Sequence, residues 1–245
     1  MADNNRETLV LFDVGGVLLS LNFQSFYDQA AALAGTLTPG EFKSRYVESR
    51  IDFLACKGLI SKRESIQMLR KLIGSMKPVP DELIVSLVES CWSDPIRELV
   101  ELKRRVHDAG YSVGILSNIT EIALEQISAR HPEIFETFDG RSPRLYSFRL
   151  GAMKPEPEIY RKVGGYKKVI FIDDKEMYVD VPVRLQRWKG IWFTPWIDEA
   201  ESLRAVHGGG TQSGGNEIRL SGDMRRADSV HELKGHLGDF GVKMT

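Results

Sequence analysis

The amino-acid sequence predicts an α/β protein in which a parallel sheet carries a small inserted helical cap. Three apolar runs of similar design predict the sheet: LVLFDVGG at 9–16, YSVGILSN at 111–118 and KVIFIDD at 168–174. Near-continuous apolar runs are typical of parallel strands that helices cover on both faces. Residues 17–110, between the first two runs, show no strand pattern and predict helices instead.

The size and charge of the chain exclude several functional classes. Its 245 residues can form one large domain, or one domain with a smaller inserted one. A formal net charge of −1 gives no strong field to attract nucleic acid or an anionic membrane. No apolar run suggests a membrane span, and the polar start MADNNRET is unlike a signal peptide. We therefore expect a cytoplasmic protein whose cysteines, Cys56 and Cys91, are buried free thiols.

Periodic apolar residues between the first two strands predict five amphipathic helices. Their expected ranges are 23–34, 40–54, 61–73, 81–91 and 95–109. The tetrapeptides TPGE and SKRE predict two helix N-termini, because each places Glu three residues after a Thr or Ser. The fifth helix is predicted to start at Pro95 and to stop at Gly110, which suits a helix that leads into the second strand.

The chain is expected to divide into a core and a cap. We assign residues 1–20 and 94–245 to the core and residues 21–93 to the helical cap. The glycine-rich segment HGGGTQSGGN at 207–216 predicts a flexible loop within the core. Apolar residues at helical spacing in 227–241 predict a last helix that packs against the core.

Polar residues able to do chemistry follow each of the three apolar runs. These residues are Asp13 after the first run, Ser117 and Asn118 after the second, and Asp173 and Asp174 after the third. In open α/β sheets, ligands bind at the carboxyl ends of the strands. Adjacent carboxylates need a compensating cation or hydrogen bonds, and oxygen-rich clusters are how proteins hold Mg²⁺. The three strand ends together therefore favour an active site.

Nearby glycines and a lysine extend this candidate site. Gly15 and Gly16 permit a tight turn that would bring backbone N–H groups near a ligand. A hydroxyl at a helix N-terminus, as Ser117 would provide, suits a phosphate oxygen. The prolines after Lys154 would hold its ammonium group at a fixed point, where it could neutralise a phosphate or a carboxylate. Each residue alone has an ordinary structural explanation; their combination does not.

The order of these residues resembles the haloacid dehalogenase (HAD) superfamily, most of whose members are phosphatases. Four motifs carry the resemblance, FDVGGV, LSN, KPEPEIY and FIDD, over roughly residues 8–195. The resemblance implies a Rossmann-like core, a helical cap and a bound Mg²⁺. The stretch RLQRWKGIWFT at 184–194 is also similar to the part of the family that supplies the next strand.

The resemblance further implies a role for each residue of the site. Asp13 would be the nucleophile that takes the phosphoryl group as an aspartyl-phosphate, and Lys154 would offset the charge there. The phosphate-binding residues would be Ser117, Asn118, Gly15 and Gly16. The Mg²⁺ ligands would be Asp13, Asp173, Asp174 and the carbonyl oxygen of Gly15.

Gly15 departs from the pattern of active phosphatases in this superfamily. They usually carry a second Asp at that position, which acts as general acid and base. A glycine cannot protonate a leaving group, and such proton transfer typically contributes about 10²–10⁴-fold to the rate. Some phosphatases of the helical-cap branch also have glycine there, so activity is not excluded. Tyr178 is a second departure, because the family more often has Asn there.

Three functions stay open. The leading hypothesis is a Mg²⁺-dependent phosphatase that hydrolyses small phosphate esters. Its substrate would be a small phosphorylated metabolite, with a mild preference for sugar phosphates. The alternative, motivated by Gly15, is a pseudo-enzyme that binds a phosphorylated ligand or protein partner. A third, less favoured hypothesis is a 2-haloacid dehalogenase, against which the Asp173–Asp174 pair argues. Candidates for the lining of a substrate pocket are Phe23, Phe26, Tyr27, Arg45 and Tyr46.

Overall fold

A six-stranded parallel sheet forms the centre of the protein. The computed structural model describes residues 7–136, 142–195 and 223–244. Strands in these ranges are β1 (Thr8–Phe12), β2 (Leu19–Leu21), β3 (Trp92–Pro95), β4 (Ser112–Ser117), β5 (Arg144–Tyr146), β6 (Lys168–Asp173), β7 (Lys189–Phe193) and β8 (Met224–Ala227). The sheet has the order β5-β4-β1-β6-β7-β8, and every adjacent pair is parallel. The predicted α/β class with a parallel sheet is confirmed.

The side chains of β1 show why its sequence is apolar throughout. Val10 and Phe12 belong to one buried cluster, whereas Leu9 and Leu11 belong to a second. All four are fully buried. Successive side chains of a strand point to opposite faces of the sheet. A strand covered on both faces therefore needs an unbroken apolar run.

Helices flank the sheet and make up the segment of the chain between β2 and β3. The five helices between those strands are α1 (Phe23–Ala34), α2 (Pro39–Ser49), α3 (Ile51–Cys56), α4 (Lys62–Ile73) and α5 (Asp81–Glu89). The helices after β3, within the described residues, are α6 (Arg97–Asp108), α7 (Glu121–Arg130), α8 (Ser147–Leu150), α9 (Pro157–Tyr160), α10 (Glu176–Gln186) and α11 (Val230–Asp239). The predicted last helix is confirmed as α11. Over the described ranges, no helix has the length and apolar character needed to cross a membrane.

We call α1 to α5, residues 23–89, the helical unit. It packs around its own apolar cluster, which includes Phe26 and Phe42. Both predicted N-termini, at TPGE and SKRE, form capping boxes in which the Thr or Ser side chain and the Glu side chain each accept a backbone N–H. The ribbon formed by β2 and β3, which pair antiparallel, joins this unit to the sheet.

The structure corrects three predictions for residues 17–110. Two short strands, β2 and β3, occur where none was predicted. Each strand forms because it pairs with the other, and neither has an apolar pattern of its own that would indicate a strand. The predicted helix 40–54 is two helices, since Arg50 between them adopts a left-handed conformation with φ of 56°. The helix predicted to start at Pro95 begins only with α6, because Pro95 pairs with Leu19 at the end of β3. The segment 207–216 lies outside the described residues.

Ion pairs connect the helical unit to the rest of the protein. They are Lys57–Glu156 (2.5 Å), Lys62–Glu125 and Arg130–Glu89 (3.2 Å). Such partly exposed pairs contribute only about 0–1 kcal/mol each, so they orient the unit more than they stabilise it. Apolar packing adds to them, because Ile122 of α7 joins the buried cluster of the helical unit. The unit is therefore held over the end of the sheet where β4 leads into α7.

Candidate functional site

The carboxyl ends of three adjacent strands bring the predicted polar residues together. Strand β1 lies between β4 and β6 in parallel register. Asp13 follows β1 directly, Ser117 is the last residue of β4, and Asp173 is the last residue of β6. All three residues are buried. The site thus lies at the sheet edge that α/β proteins use for ligands.

The ammonium group of Lys154 lies between two carboxylates. Its side chain is fully buried, with Nζ 3.0 Å from Asp13 Oδ1 and 2.5 Å from Asp173 Oδ2. Burial alone would lower the pKa of Lys154, but the two carboxylates together outweigh burial and raise it. The group therefore stays an ammonium ion, which reduces the repulsion between the carboxylates.

The side chain of Asn118 fixes the position of Lys154. Its Oδ1 accepts a hydrogen bond from the backbone N–H of Lys154 (2.8 Å), and its Nδ2 donates to the Lys154 carbonyl oxygen (2.9 Å). This reciprocal pair ties the loop that carries Lys154 to the end of β4. The predicted contact between the Asn118 backbone and a phosphate stays a prediction.

Three carboxylates form a cluster that could hold a metal ion. One oxygen atom each of Asp13, Asp173 and Asp174 lies within 4.8 Å of the others. Burial, followed by repulsion from Asp13, raises the pKa of Asp174. Lys154 and, without a direct ion pair, Lys175 supply two positive charges against three carboxylates, so negative charge remains that a cation would neutralise. An all-oxygen set of this kind fits a hard cation such as Mg²⁺.

The hydroxyl group of Ser117 is buried without a hydrogen-bond partner among the described residues. The residue is only 1% exposed. Buried polar groups are normally paired, and leaving one unsatisfied costs about 1–3 kcal/mol. A hydroxyl held in this state at the strand edge is available to a ligand oxygen, as the sequence predicts for a phosphate.

Gly16 lets the turn after β1 pass close to the carboxylate of Asp174. Its φ is 81°, in the left-handed region that favours glycine. A Cβ at this position would lie 2.6 Å from Asp174 Oδ2. The N–H of Gly16 donates to the carbonyl oxygen of Leu19 (2.7 Å), so this donor serves the turn.

Substitution of Gly16 by alanine is expected to weaken Mg²⁺ binding about tenfold or more and to lower stability by about 1 kcal/mol or more. The added methyl group would displace the Asp174 carboxylate, and the positive φ would be strained. Calorimetric titration with Mg²⁺ and urea unfolding measure the two effects. Gly164→Ala is the matched control, because a Cβ there meets nothing within 4 Å. Equal Mg²⁺ affinity in both variants would contradict the prediction.

Apolar side chains stand against Gly15, where a second acid would be expected. A Cβ on Gly15 would lie 3.1 Å from Leu21 Cδ1 and 3.2 Å from Trp92 Cζ3. Both neighbours belong to the β2–β3 ribbon. A carboxylate introduced here would press against apolar groups that offer it no hydrogen bond. The apolar packing around Gly15 therefore leaves little room for a side chain and suits a residue without an acid group.

A cavity of about 170 Å³ lies between the strand ends and the helical unit. Its floor includes Asp13 and Lys154, and most of its walls are apolar. Three of the five residues predicted to line a pocket do so: Phe23, Phe26 and Tyr46. Tyr27 lines a neighbouring groove of the outer surface instead, and Arg45 lines neither.

The cavity has further polar residues that are not among the predicted site residues, and three of them carry a charge or lie against one. Tyr178 places its ring 5.2 Å from the ammonium groups of both Lys154 and Lys175. The backbone N–H of Lys175 also donates to Asp173 Oδ1 (2.9 Å). Asp52, on α3, lines the cavity from the side of the helical unit. Lys175 follows FIDD directly, which was a usable signal, whereas nothing local distinguishes Asp52 from a surface aspartate.

Comparison with known proteins identifies the fold. No family model and no curated protein sequence matches the chain. Among solved structures, HAD family enzyme bt-2542 from Bacteroides thetaiotaomicron aligns with a TM-score of 0.66 at 24% identity, over 80% of this chain and 98% of that chain. A HAD phosphatase from Thermococcus onnurineus aligns with a TM-score of 0.60 at 15% identity, over 97% of this chain and 100% of that chain.

A dehalogenase is also among the similar structures. L-2-haloacid dehalogenase from Xanthobacter autotrophicus, with chloropropionic acid covalently bound, aligns with a TM-score of 0.59 at 16% identity, over 96% of this chain and 99% of that chain. These neighbours share one architecture and differ in chemistry. The chain has the fold of the HAD superfamily, and the predicted Rossmann-like core is confirmed.

Proposed function

We propose that this protein is a Mg²⁺-dependent hydrolase of small phosphate esters, sugar phosphates among them. The observation that carries the proposal is the buried Lys154 ammonium between Asp13 and Asp173, next to Asp174. The unpaired hydroxyl of Ser117 adds a donor of the kind that a phosphoryl oxygen accepts. The structure of wild-type bt-2542 in complex with magnesium and inorganic phosphate supports the same reading.

In this mechanism Asp13 is the nucleophile. One of its carboxylate oxygens attacks the phosphorus atom, the bond to the leaving oxygen breaks, and an aspartyl-phosphate forms. Water then attacks the phosphorus and releases inorganic phosphate. Lys154 and Ser117 stabilise the charge on the transferring phosphoryl group from fixed positions. Asp13, Asp173, Asp174 and the Gly15 carbonyl would hold Mg²⁺, which supplies further neutralisation of that charge.

The helical unit would serve as the cap that selects the substrate. It closes the cavity above Asp13, so the group esterified to the phosphate must fit within that space. The small volume and largely apolar walls favour a compact phosphorylated metabolite over a macromolecule. Good leaving groups, such as the anomeric oxygen of a sugar phosphate, depend least on an acid at Gly15.

A pseudo-enzyme remains the alternative because of the packing at Gly15. Leu21 and Trp92 would lie 3.1 and 3.2 Å from a Cβ at Gly15, where the usual acid and base would be attached. Such a protein would bind Mg²⁺ and phosphate, or a phosphorylated partner, without turnover. A dehalogenase is less favoured, because three clustered carboxylates suit a cation.

Turnover of p-nitrophenyl phosphate and of a sugar-phosphate panel, with Mg²⁺ and with EDTA, tests the proposal. We expect turnover that needs Mg²⁺ and that Asp13→Asn abolishes. Acid quenching after mixing with radiolabelled substrate should trap a phosphoenzyme in the wild type and none in the variant. Mg²⁺ and phosphate binding without turnover would favour the pseudo-enzyme. Chloride release from 2-chloropropionate in EDTA would favour the dehalogenase.

A further inference from the structure

The proposed reaction leaves one proton without a donor. Phosphoryl transfer proceeds with the attacking and leaving oxygens roughly in line. With Asp13 attacking from the floor of the cavity, the leaving oxygen points away from the sheet, toward the helical unit. An alkoxide released there needs a proton, and Gly15 cannot supply one. Beside Gly15, the side chains of Leu21 and Trp92 line the cavity with apolar groups that carry no acidic proton.

Asp52 stands on the side of the cavity toward which the leaving oxygen points. Among the described residues that line the cavity, Asp13 and Asp52 are the two that carry a carboxyl group. Asp52, Phe23 and Tyr46 also line the groove on the outer surface, so these three residues lie between the cavity and that groove. A leaving group that extends from Asp13 toward this side of the helical unit therefore approaches Asp52.

The surroundings of Asp52 suit an acid that gives and regains a proton. Asp52 is exposed to solvent, so it can exchange protons with water. The protein atoms around it nevertheless raise its pKa, while Lys175 and hydrogen bonds from Tyr46 and Cys56 lower it by less. Asp52 interacts with titratable groups of several elements: Tyr27, Tyr46, Cys56, Cys91 and Lys175. Burial raises the pKa of Tyr46 and Cys56 well above their usual values, so these two are weaker acids.

Lys175 links Asp52 to the centre of the site. Its charge interacts with Asp52 and also with Asp13, Asp173 and Asp174. One lysine therefore lies within electrostatic range of both the nucleophile and the carboxyl group of the helical unit. Asp52 therefore shares the electrostatic environment of the nucleophile, in the cavity that both residues line.

We propose that Asp52, on the helical unit, replaces the missing acid at Gly15 as proton donor to the leaving group. This inference rests on the proposed phosphatase function. As the phosphorus–oxygen bond breaks, its electron pair goes to the leaving oxygen, which takes the proton of the Asp52 carboxyl group. The products are the free alcohol, the aspartyl-phosphate at Asp13 and the Asp52 carboxylate. In the second step Asp52 takes a proton from the attacking water, and hydrogen phosphate and the Asp13 carboxylate are released.

The test compares Asp52→Asn with wild type on p-nitrophenyl, phenyl and benzyl phosphate. These esters have similar shapes, but the basicity of their leaving groups rises in that order. The ratio kcat/KM reports the steps up to the first irreversible one, the release of the leaving group. The loss caused by Asp52→Asn should grow along the series, and for benzyl phosphate it should reach about 10²–10⁴-fold. For p-nitrophenyl phosphate it should be at least tenfold smaller.

The controls separate this inference from the proposed function. Asp28→Asn changes an exposed aspartate of the same helical unit and should give parallel losses, if any, across the three esters. Asp52→Ser is a second neutral variant if Asp52→Asn does not fold, and Asp52→Glu should recover part of the benzyl phosphate activity. Equal losses on all three esters would overturn the role of Asp52 and leave the phosphatase standing. A wild type without turnover would overturn both.

Discussion

Replacement of Lys154 by methionine is expected to lower turnover about 10²–10³-fold and to destabilise the fold. Methionine keeps much of the buried apolar stem but removes the ammonium ion from between Asp13 and Asp173. Removing one partner of a buried ion pair typically costs about 3–5 kcal/mol, because the remaining charge is left buried and unpaired. Loss of one fixed charge-stabilising group costs about 10²–10³-fold in rate. Hydrolysis of p-nitrophenyl phosphate and urea unfolding measure the two effects.

Mg²⁺ should rescue part of the lost stability in this variant. The variant lacks the ammonium ion that offsets the charge of Asp13 and Asp173, and a divalent cation bound to the cluster of Asp13, Asp173 and Asp174 would replace that offset. The shift of the unfolding midpoint on addition of Mg²⁺ should therefore be larger in Lys154→Met than in the wild type. Lys162→Met, at an exposed lysine, controls for the loss of one charge. Turnover within tenfold of the wild type would show that the ammonium ion is not part of the reaction.

The central strands were predictable because both their faces are buried. Leu9, Val10, Leu11 and Phe12 are all apolar, and no helix period fits such a run bounded by Asp13. The parallel order then placed the carboxyl ends of β1, β4 and β6 at one edge. For this reason the sequence could predict that Asp13, Ser117 and Asp173 meet.

The short strands were not predictable, because their pairing depends on tertiary contact. Strands β2 and β3 pair across the whole helical unit, with Leu19 opposite Pro95. Neither has an alternating pattern long enough to distinguish it from a loop. The environment of Gly15 depends on this ribbon, since Leu21 and Trp92 come from its two strands. The sequence could show that an acid is missing there, and the structure shows what stands beside the glycine.

The role proposed for Asp52 could not be predicted from the sequence for a related reason. It belongs to α3, a helix of six residues separated from α2 by the left-handed Arg50. That break cannot be read from apolar periodicity, which runs on through 40–54 and leaves Asp52 inside an ordinary amphipathic pattern. Only the packing of the helical unit over the sheet brings it into the cavity of Asp13. A site residue such as Asp52 is therefore identified only when the residues that line the cavity are known.

Substitution of Ser117 by alanine is expected to impair catalysis without loss of stability. The change removes a buried hydroxyl that has no partner among the described residues, so unfolding should cost the same or about 1 kcal/mol more than in the wild type. Turnover needs that hydroxyl to hold a phosphoryl oxygen, and kcat/KM for p-nitrophenyl phosphate should fall about 10²-fold. Urea unfolding and steady-state kinetics with Mg²⁺ measure the pair of effects.

Ser147 provides a matched control with the opposite effect on stability. It is also buried, but its hydroxyl accepts a hydrogen bond from Ile119 N–H (3.0 Å) and donates to the Ile119 carbonyl oxygen (3.3 Å). Ser147→Ala should therefore lower the free energy of unfolding by about 1–3 kcal/mol, because it leaves buried backbone groups unpaired. If Ser117→Ala destabilised the free protein as much as Ser147→Ala, the Ser117 hydroxyl would serve the fold. The difference in unfolding free energy between the two variants thus distinguishes a hydroxyl that binds a ligand from one that stabilises the fold.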